Sequence, residues 1–311
     1  CLAGGVALNC VANGKLQRAG VFDEIWIQPA AGDAGGALGA ALEAWHQFKN
    51  AVPKGEGEPA WPSAGGDSMR GSLLGPEFSE SEIRRALEAH GAVFEQLDEK
   101  AMLERAAGLL ADGAMLGWFQ GRMEFGPRSL GSRSILGDAR LASMQSAINQ
   151  KVKFRESFRP FAPAVLEERA GEYFDLTAES PYMLLVADVA KSQRLAMPAE
   201  ESAGFARLKH ARSTLPAVTH VDGSARVQTV GCERHPFFWR LLRQFEQRTG
   251  CGVLLNTSFN VRGEPVVCTP DDAYRCFVNT AIDWLAIGPF LLSRERQPAE
   301  KPQPTFDPIP D

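Results

Sequence analysis

Histidine and cysteine are scarce in this 311-residue chain, at five and six residues, and neither follows a metal-binding pattern. Cys1, Cys10, Cys232, Cys251, Cys268 and Cys276 include no CxxC pair, which argues against a metal finger. Several sit in apolar runs and read as small buried hydrophobes of a reduced, cytoplasmic protein. The histidines form no HExxH, and the chain has neither a GxxxxGK[ST] phosphate loop nor a GxGxxG fingerprint. No apolar run is long enough to span a bilayer; the nearest, Cys276 to Leu292, is broken by Asn279, Thr280 and Asp283. A formal net charge of -5 argues against bulk attraction to nucleic acid or an anionic membrane.

What is present is a globular composition, 44% hydrophobic and 23% charged, with enough chain for a large domain plus a smaller piece. The acidic total hides a local reversal. Between Gly117 and Pro160 eight Arg or Lys residues face three acidic ones. Within it, GRMEFGPRSLGSRS (Gly121 to Ser134) places Arg122, Arg128 and Arg133 among glycines directly after an apolar strand. Guanidinium forks and nearby glycine N–H groups suit phosphate oxygens, so this segment predicts an anion pocket, with Glu124 holding one arginine in position. The bland alternative is a solvated, salt-bridged loop.

A second stretch, NQKVKFRESFRPF (Asn149 to Phe161), alternates cations with apolar residues. As an extended strand it would put Lys151, Lys153 and Arg155 on one face, with Phe154, Phe158 and Phe161 anchored in the core or stacking on single-stranded nucleic acid. A third, LLNTSFNVRGEP (Leu254 to Pro265), ends a buried strand in short donors at a sheet edge.

Alternating helices and strands predict an α/β or α+β fold. Strands are expected over Leu2 to Leu8, Glu24 to Gln28, Ala114 to Phe119, Tyr182 to Val189, Ala217 to Val221, Ala225 to Thr229 and Gly252 to Leu255. An Asp222-Gly223 turn suggests a hairpin. Helices are expected from Cys10, Gly32, Ser79, Asp98, Ala142, His235 and Thr269, several with capping signals. Residues 51–72 read as a linker rich in Pro, Gly and Ser, and 295–311 as a proline-rich tail. The opening Cys1-Leu-Ala-Gly-Gly reads as the end of a core strand, so a fragment is expected.

GGVALN (Gly4 to Asn9), GDAGGALGAA (Gly32 to Ala41), the arginine-rich segment to Leu136, NQKVKFRESFRPFAP, DGSARVQTV (Asp222 to Val230) and LLNTSFNVRGEPVVCTPDDA (Leu254 to Ala273) occur in one order. Together they resemble the NodU/CmcH, tobramycin-type O-carbamoyltransferases. The resemblance implies that residues 1–50 end an actin-like, Kae-like carbamoyl-transfer domain. Residues 73–294 would form a YrdC-like twisted mixed sheet with helices, which makes carbamoyl-adenylate from ATP, with Mg2+, and carbamoyl phosphate. It implies Arg128, Lys153 and Arg159 as catalytic residues. Arg226, Asn256 and Ser258 would contact nucleotide phosphates and the carbamoyl group, with Arg122 and Arg133 beside them. Asp33 falls on the aspartate ligand of the family's Fe or Zn site. The family's HxxxH histidines are missing from this chain. Asp33 alone falls short of the roughly three protein ligands a catalytic metal needs, so the adenylate half-reaction is expected without complete transfer. The acceptor would be a hydroxyl-bearing small molecule; oligomeric state stays open, a homodimer included. Rival readings are a YrdC-type threonylcarbamoyl-adenylate synthase, a nucleic-acid-binding module and an inactive truncated module.

Overall fold

A computed structural model describes residues 1–51, 67, 69–196 and 210–298. Most of the expected linker, and the tail from residue 299, lie outside the described residues. One ten-stranded mixed sheet organises the chain in the order β1-β10-β9-β2-β3-β8-β4-β7-β6-β5. Its strands are β1 (Glu95–Gln96), β2 (Leu116–Phe119), β3 (Arg133–Asp138), β4 (Ala162–Leu166), β5 (Phe174–Asp175), β6 (Leu185–Val189), β7 (Ser224–Val230), β8 (Val253–Ser258), β9 (Trp284–Ile287) and β10 (Phe290–Ser293). The β2–β9 and β4–β7 pairs are parallel and the remaining ladders antiparallel.

Eight α-helices surround it among the described residues: α1 (Cys10–Arg18), α2 (Asp33–Ala51), α3 (Glu80–Ala89), α4 (Glu99–Ala111), α5 (Ala142–Lys151), α6 (Ala170–Tyr173), α7 (Pro236–Thr249) and α8 (Pro270–Val278). Their ends follow local chemistry. Ser79 and Glu82 close a reciprocal capping box on α3, and Thr269 and Asp272 do the same on α8, with Pro270 in the first turn. None of the described helices is long and apolar enough to cross a membrane.

Successive strand residues face opposite sides of a sheet. Trp118 accordingly stacks on Phe237 of α7 at 5.4 Å between ring centroids, while Phe119 meets Phe78 at 6.1 Å. Helix α1 packs on β6: Asn13 Nδ2 donates to Leu184 O at 3.1 Å and Arg18 Nη1 to Val186 O at 2.8 Å.

Several expectations are corrected. The two N-terminal strands reduce to one parallel bridge, Leu2 to Ile27, because Gly4, at φ 94°, turns the chain into a short 3-10 turn over Gly5–Leu8. Residues 217–221 form no strand. Gly223 N–H donates to His220 O and His220 N–H to Ser224 O, closing a local turn, and β7 pairs with β6 and β4 instead. Six strands were not anticipated. β3, β4, β9 and β10 are buried almost throughout, so the polar–apolar alternation that announces a strand is missing, and β1 and β5 are only two residues long.

Candidate functional site

The loop between β2 and β3 is built around Glu124. Its buried Oε1 accepts from Leu130 N–H at 2.7 Å, Ser132 N–H at 2.7 Å and Arg133 N–H at 3.3 Å. The carboxylate thus fixes the loop's backbone, where an arginine-orienting role was expected. With its amides turned inward on Glu124, the loop lays Pro127, Arg128 and Ser129 over the sheet. There Asn256 Nδ2 donates to Ser129 O at 3.1 Å and to Gln228 Oε1 at 2.8 Å, and Gln228 Nε2 donates to Leu130 O at 2.7 Å. Gln228 and Asn256 therefore share a sheet face, and Arg226, two residues before Gln228 on β7, shares it too.

A cavity of about 200 Å³ opens on that face, lined by Arg128, Arg155, Arg159, Arg226, Asn256 and Ser258 among others, and by no carboxylate among the described residues. Four buried polar atoms around it lack a protein partner: Arg128 Nε, Ser129 Oγ, Arg226 Nε and Asn256 Oδ1. Orphaned polar atoms in a native interior call for a ligand or solvent, and these belong to the walls of a strongly cationic pocket. Burial, the neighbouring Arg128 and Arg155 together push the Arg226 pKa down to about 10, against a smaller opposing pull from the Cys10 thiol. Like charges crowded in low dielectric are unfavourable until an anion arrives.

Lys153 stands behind this wall. Its buried Nζ donates to Ser258 O, to Asn260 Oδ1 at 2.7 Å and to Asn260 O at 2.9 Å, with Ser258 Oγ at 3.3 Å. Burial pushes its pKa down to about 7. The expected cationic strand is corrected here. Helix α5 runs to Lys151, and Phe154 at φ 46° turns the chain, sending Lys153 inward and leaving Lys151 exposed. A left-handed non-glycine residue is a strained conformation that tends to mark functional loops. Phe154 and Phe158 are 57% and 50% exposed, so of the three expected aromatic anchors only Phe161 is buried. Gln145 Nε2 and Asn149 Nδ2 hold the backbone carbonyls of residues 157–159 instead.

Arg128, Arg159, Arg226, Asn256 and Ser258 are thus brought together, with Lys153 in contact from behind. Arg122 and Arg133 are not. Arg122 is exposed, donating to Gly75 O at 3.2 Å and pairing with Glu77 at 3.4 Å. Arg133 is fully buried with its guanidinium carbon 3.6 Å from the Phe119 ring centroid, its Nη groups donating to the carbonyls of Gln120, Gly121, Ser132 and Pro76. It staples the loop from inside. Asp33 is exposed at the start of α2, and no group of three His, Cys, Asp or Glu side chains among the described residues is placed to hold a metal. The described residues alone do not fit a catalytic metal.

Sequence reasoning missed Arg155, Ser129 and Gln228 as site residues. Arg155 carried a signal in the alternating cations; Gln228 carried none, because its role depends on β7 lying one strand removed from β8.

These features make a cationic cavity on the face of a mixed α+β sheet. The carbamoyltransferase C-terminus profile matches residues 107–294 and the carbamoyltransferase N-terminus profile residues 1–42. The chain belongs to the carbamoyltransferase family. It is 56% identical over 302 residues to an uncharacterised protein of Synechocystis, covering 96% of this chain and 48% of that one. It is 44% identical over 297 residues to nodulation protein NolO of Bradyrhizobium diazoefficiens, covering 94% and 49%. It is 34% identical over 275 residues to the 3'-hydroxymethylcephem-O-carbamoyltransferase of Streptomyces clavuligerus, covering 88% and 44%. The chain spans about half the length of the curated relatives it matches.

Proposed function

We propose that this chain forms carbamoyl-adenylate from ATP and carbamoyl phosphate, for transfer to a hydroxyl group of a small-molecule acceptor. The observation that carries the reading is the cavity on the sheet face: four arginines, no carboxylate among the described residues, and unpartnered buried donors on its walls. The family relationship, and the named O-carbamoyltransferase among the relatives, support a carbamoyl group as the cargo. Both family segments match in this chain, which favours this reading over a threonylcarbamoyl-adenylate synthase.

In this mechanism water cleaves carbamoyl phosphate to carbamate and phosphate within the pocket. A carbamate oxygen then attacks the α-phosphorus of ATP, the α–β bridging bond breaks, and pyrophosphate leaves with the bond's electrons. Arg128, Arg159 and Arg226 stabilise charge that builds on the equatorial and leaving oxygens. Ser258 and Asn256 orient the carbamoyl end, and the Lys153 charge acts from behind Ser258. Mg2+ would travel on the phosphates, since no described carboxylate lines the cavity. The walls also shelter the mixed anhydride from water.

The test is ATP–pyrophosphate exchange dependent on carbamoyl phosphate. The chain should catalyse it and Arg128→Ala should abolish it. A folded chain that shows no exchange and binds neither compound would sink the proposal.

A further inference from the structure

A second cavity, of about 430 Å³, lies between the start of α7, the first turn of α4 and the β9–β10 turn, and shares no residue with the cationic one. Its volume is that of a small-molecule site. Leu73, Leu97, Met102, Phe237 and Pro289 give it apolar walls, and the Phe237 ring is backed by Trp118. The charged side chains that line it are already matched. Arg122 pairs with Glu77 at 3.4 Å and Arg240 Nη1 with Glu99 Oε1 at 2.6 Å, while Asp98 Oδ1 accepts from Ala101 N–H at 2.8 Å as the cap of α4. Burial pushes the His235 pKa down to about 4, so its imidazole is neutral at pH 7.

Two polar groups there are left unmatched. Gln120 lines the cavity, is only 7% exposed, and its Nε2 donates to Gly288 O at 3.0 Å. That carbonyl partner fixes which end of the amide is the nitrogen, and no described residue donates to the other end, Oε1. At the start of α7, Pro236 has no N–H and the His235 side chain makes no capping bond. The Phe237 N–H has no partner among the described residues. His235 Nε2 and Ser132 Oγ meet each other at 3.2 Å. The cavity therefore offers one acceptor and one donor between apolar walls, with no spare charge of either sign. A buried acceptor is costly until a donor reaches it.

We propose that this cavity is a second small-molecule site, for a neutral compound with an apolar body and a primary carboxamide or carbamoyl head. The head's NH2 donates to Gln120 Oε1 and its carbonyl accepts from the first turn of α7. The site stands apart from the carbamoyl-adenylate reading, because none of its residues lines the cationic cavity.

Benzamide is the probe, titrated into the wild-type chain and followed by saturation-transfer NMR. A molecule of its size should bind with a Kd on the order of millimolar. Benzoate and benzylamine share its ring and carry a charge the cavity does not match, so each should bind about 10-fold more weakly or worse. Gln120→Leu removes the unmatched acceptor and should weaken benzamide by up to about 10-fold. Leu73→Trp fills the cavity from its half-buried wall and should abolish benzamide binding in a chain that remains folded by circular dichroism. If either variant fails to fold, the other still decides the question. Absence of benzamide binding to the wild type, benzoate binding as tightly, or full affinity in a folded Leu73→Trp or Gln120→Leu variant would each overturn the proposal.

Discussion

Lys153 Nζ donates to Asn260 Oδ1 at 2.7 Å, tying the loop after α5 to the turn beyond β8. The protonated amine serves these oxygens best, yet burial pushes its pKa from 10.5 down to about 7. The folded protein therefore binds fewer protons at this site than the unfolded chain between about pH 7 and 10.5. Stability contributed here should rise with pH across that window, with the full penalty present below it. Chemical denaturation of wild type and Lys153→Met at a series of pH values checks this. The wild type should show the steeper rise; equal slopes would mean that Lys153 stays protonated.

Arg122 and Arg133 look alike in sequence and should behave oppositely. Arg133→Met leaves four backbone carbonyls without their donor and should cost about 3–5 kcal/mol. Arg122 is exposed, and Arg122→Ala should stay within about 0.5 kcal/mol. Urea midpoints for the two variants give the comparison.

Gly131 sits at φ 111°, and a Cβ there would lie 2.2 Å from Phe238 Cδ1. Gly131→Ala should therefore cost about 3 kcal/mol or more, from clash and strain together. Gly121, at φ 54° with open space around it, should lose only about 1–2 kcal/mol on the same change. Thermal unfolding of both variants separates close packing from backbone strain alone.

Arg226 is crowded by Arg128 and Arg155 in the empty site. Arg226→Met should leave the ligand-free protein equally stable or more stable by about 1 kcal/mol, while phosphate-anion affinity falls. Melting temperatures with and without pyrophosphate report both effects. A variant that melts lower when empty would show that Arg226 is structural.

How much of this was legible in advance depended on range. Glycine punctuation around Arg128 marked the β2–β3 loop, and the Ser79 and Thr269 caps marked their helices, because those signals lie within a few residues. The strand reading of Lys153 and Arg155 failed at Phe154, whose left-handed backbone nothing in its side chain announces. Arg122, Arg128 and Arg133 sit in one glycine-punctuated segment; only the fold decides that one points to solvent, one to the cavity and one inward. The Asn256–Gln228 bond joins strands separated in the sheet by β4, a relation no local pattern encodes.

A second hydrophobic cluster unites Ala7, Ile27 and Ala31 with Leu130, Ala162 and Tyr182 to Leu185. Leu130 follows the Arg128-Ser129 pair and Ala162 follows Phe161, so the apolar floor beneath the cavity is shared between the N-terminal segment and the main sheet. The two pieces thus meet across one buried apolar interface. A nick within residues 52–66 should leave them associated, and an N-terminal peptide added in trans should restore the melting temperature of a sheet prepared without it.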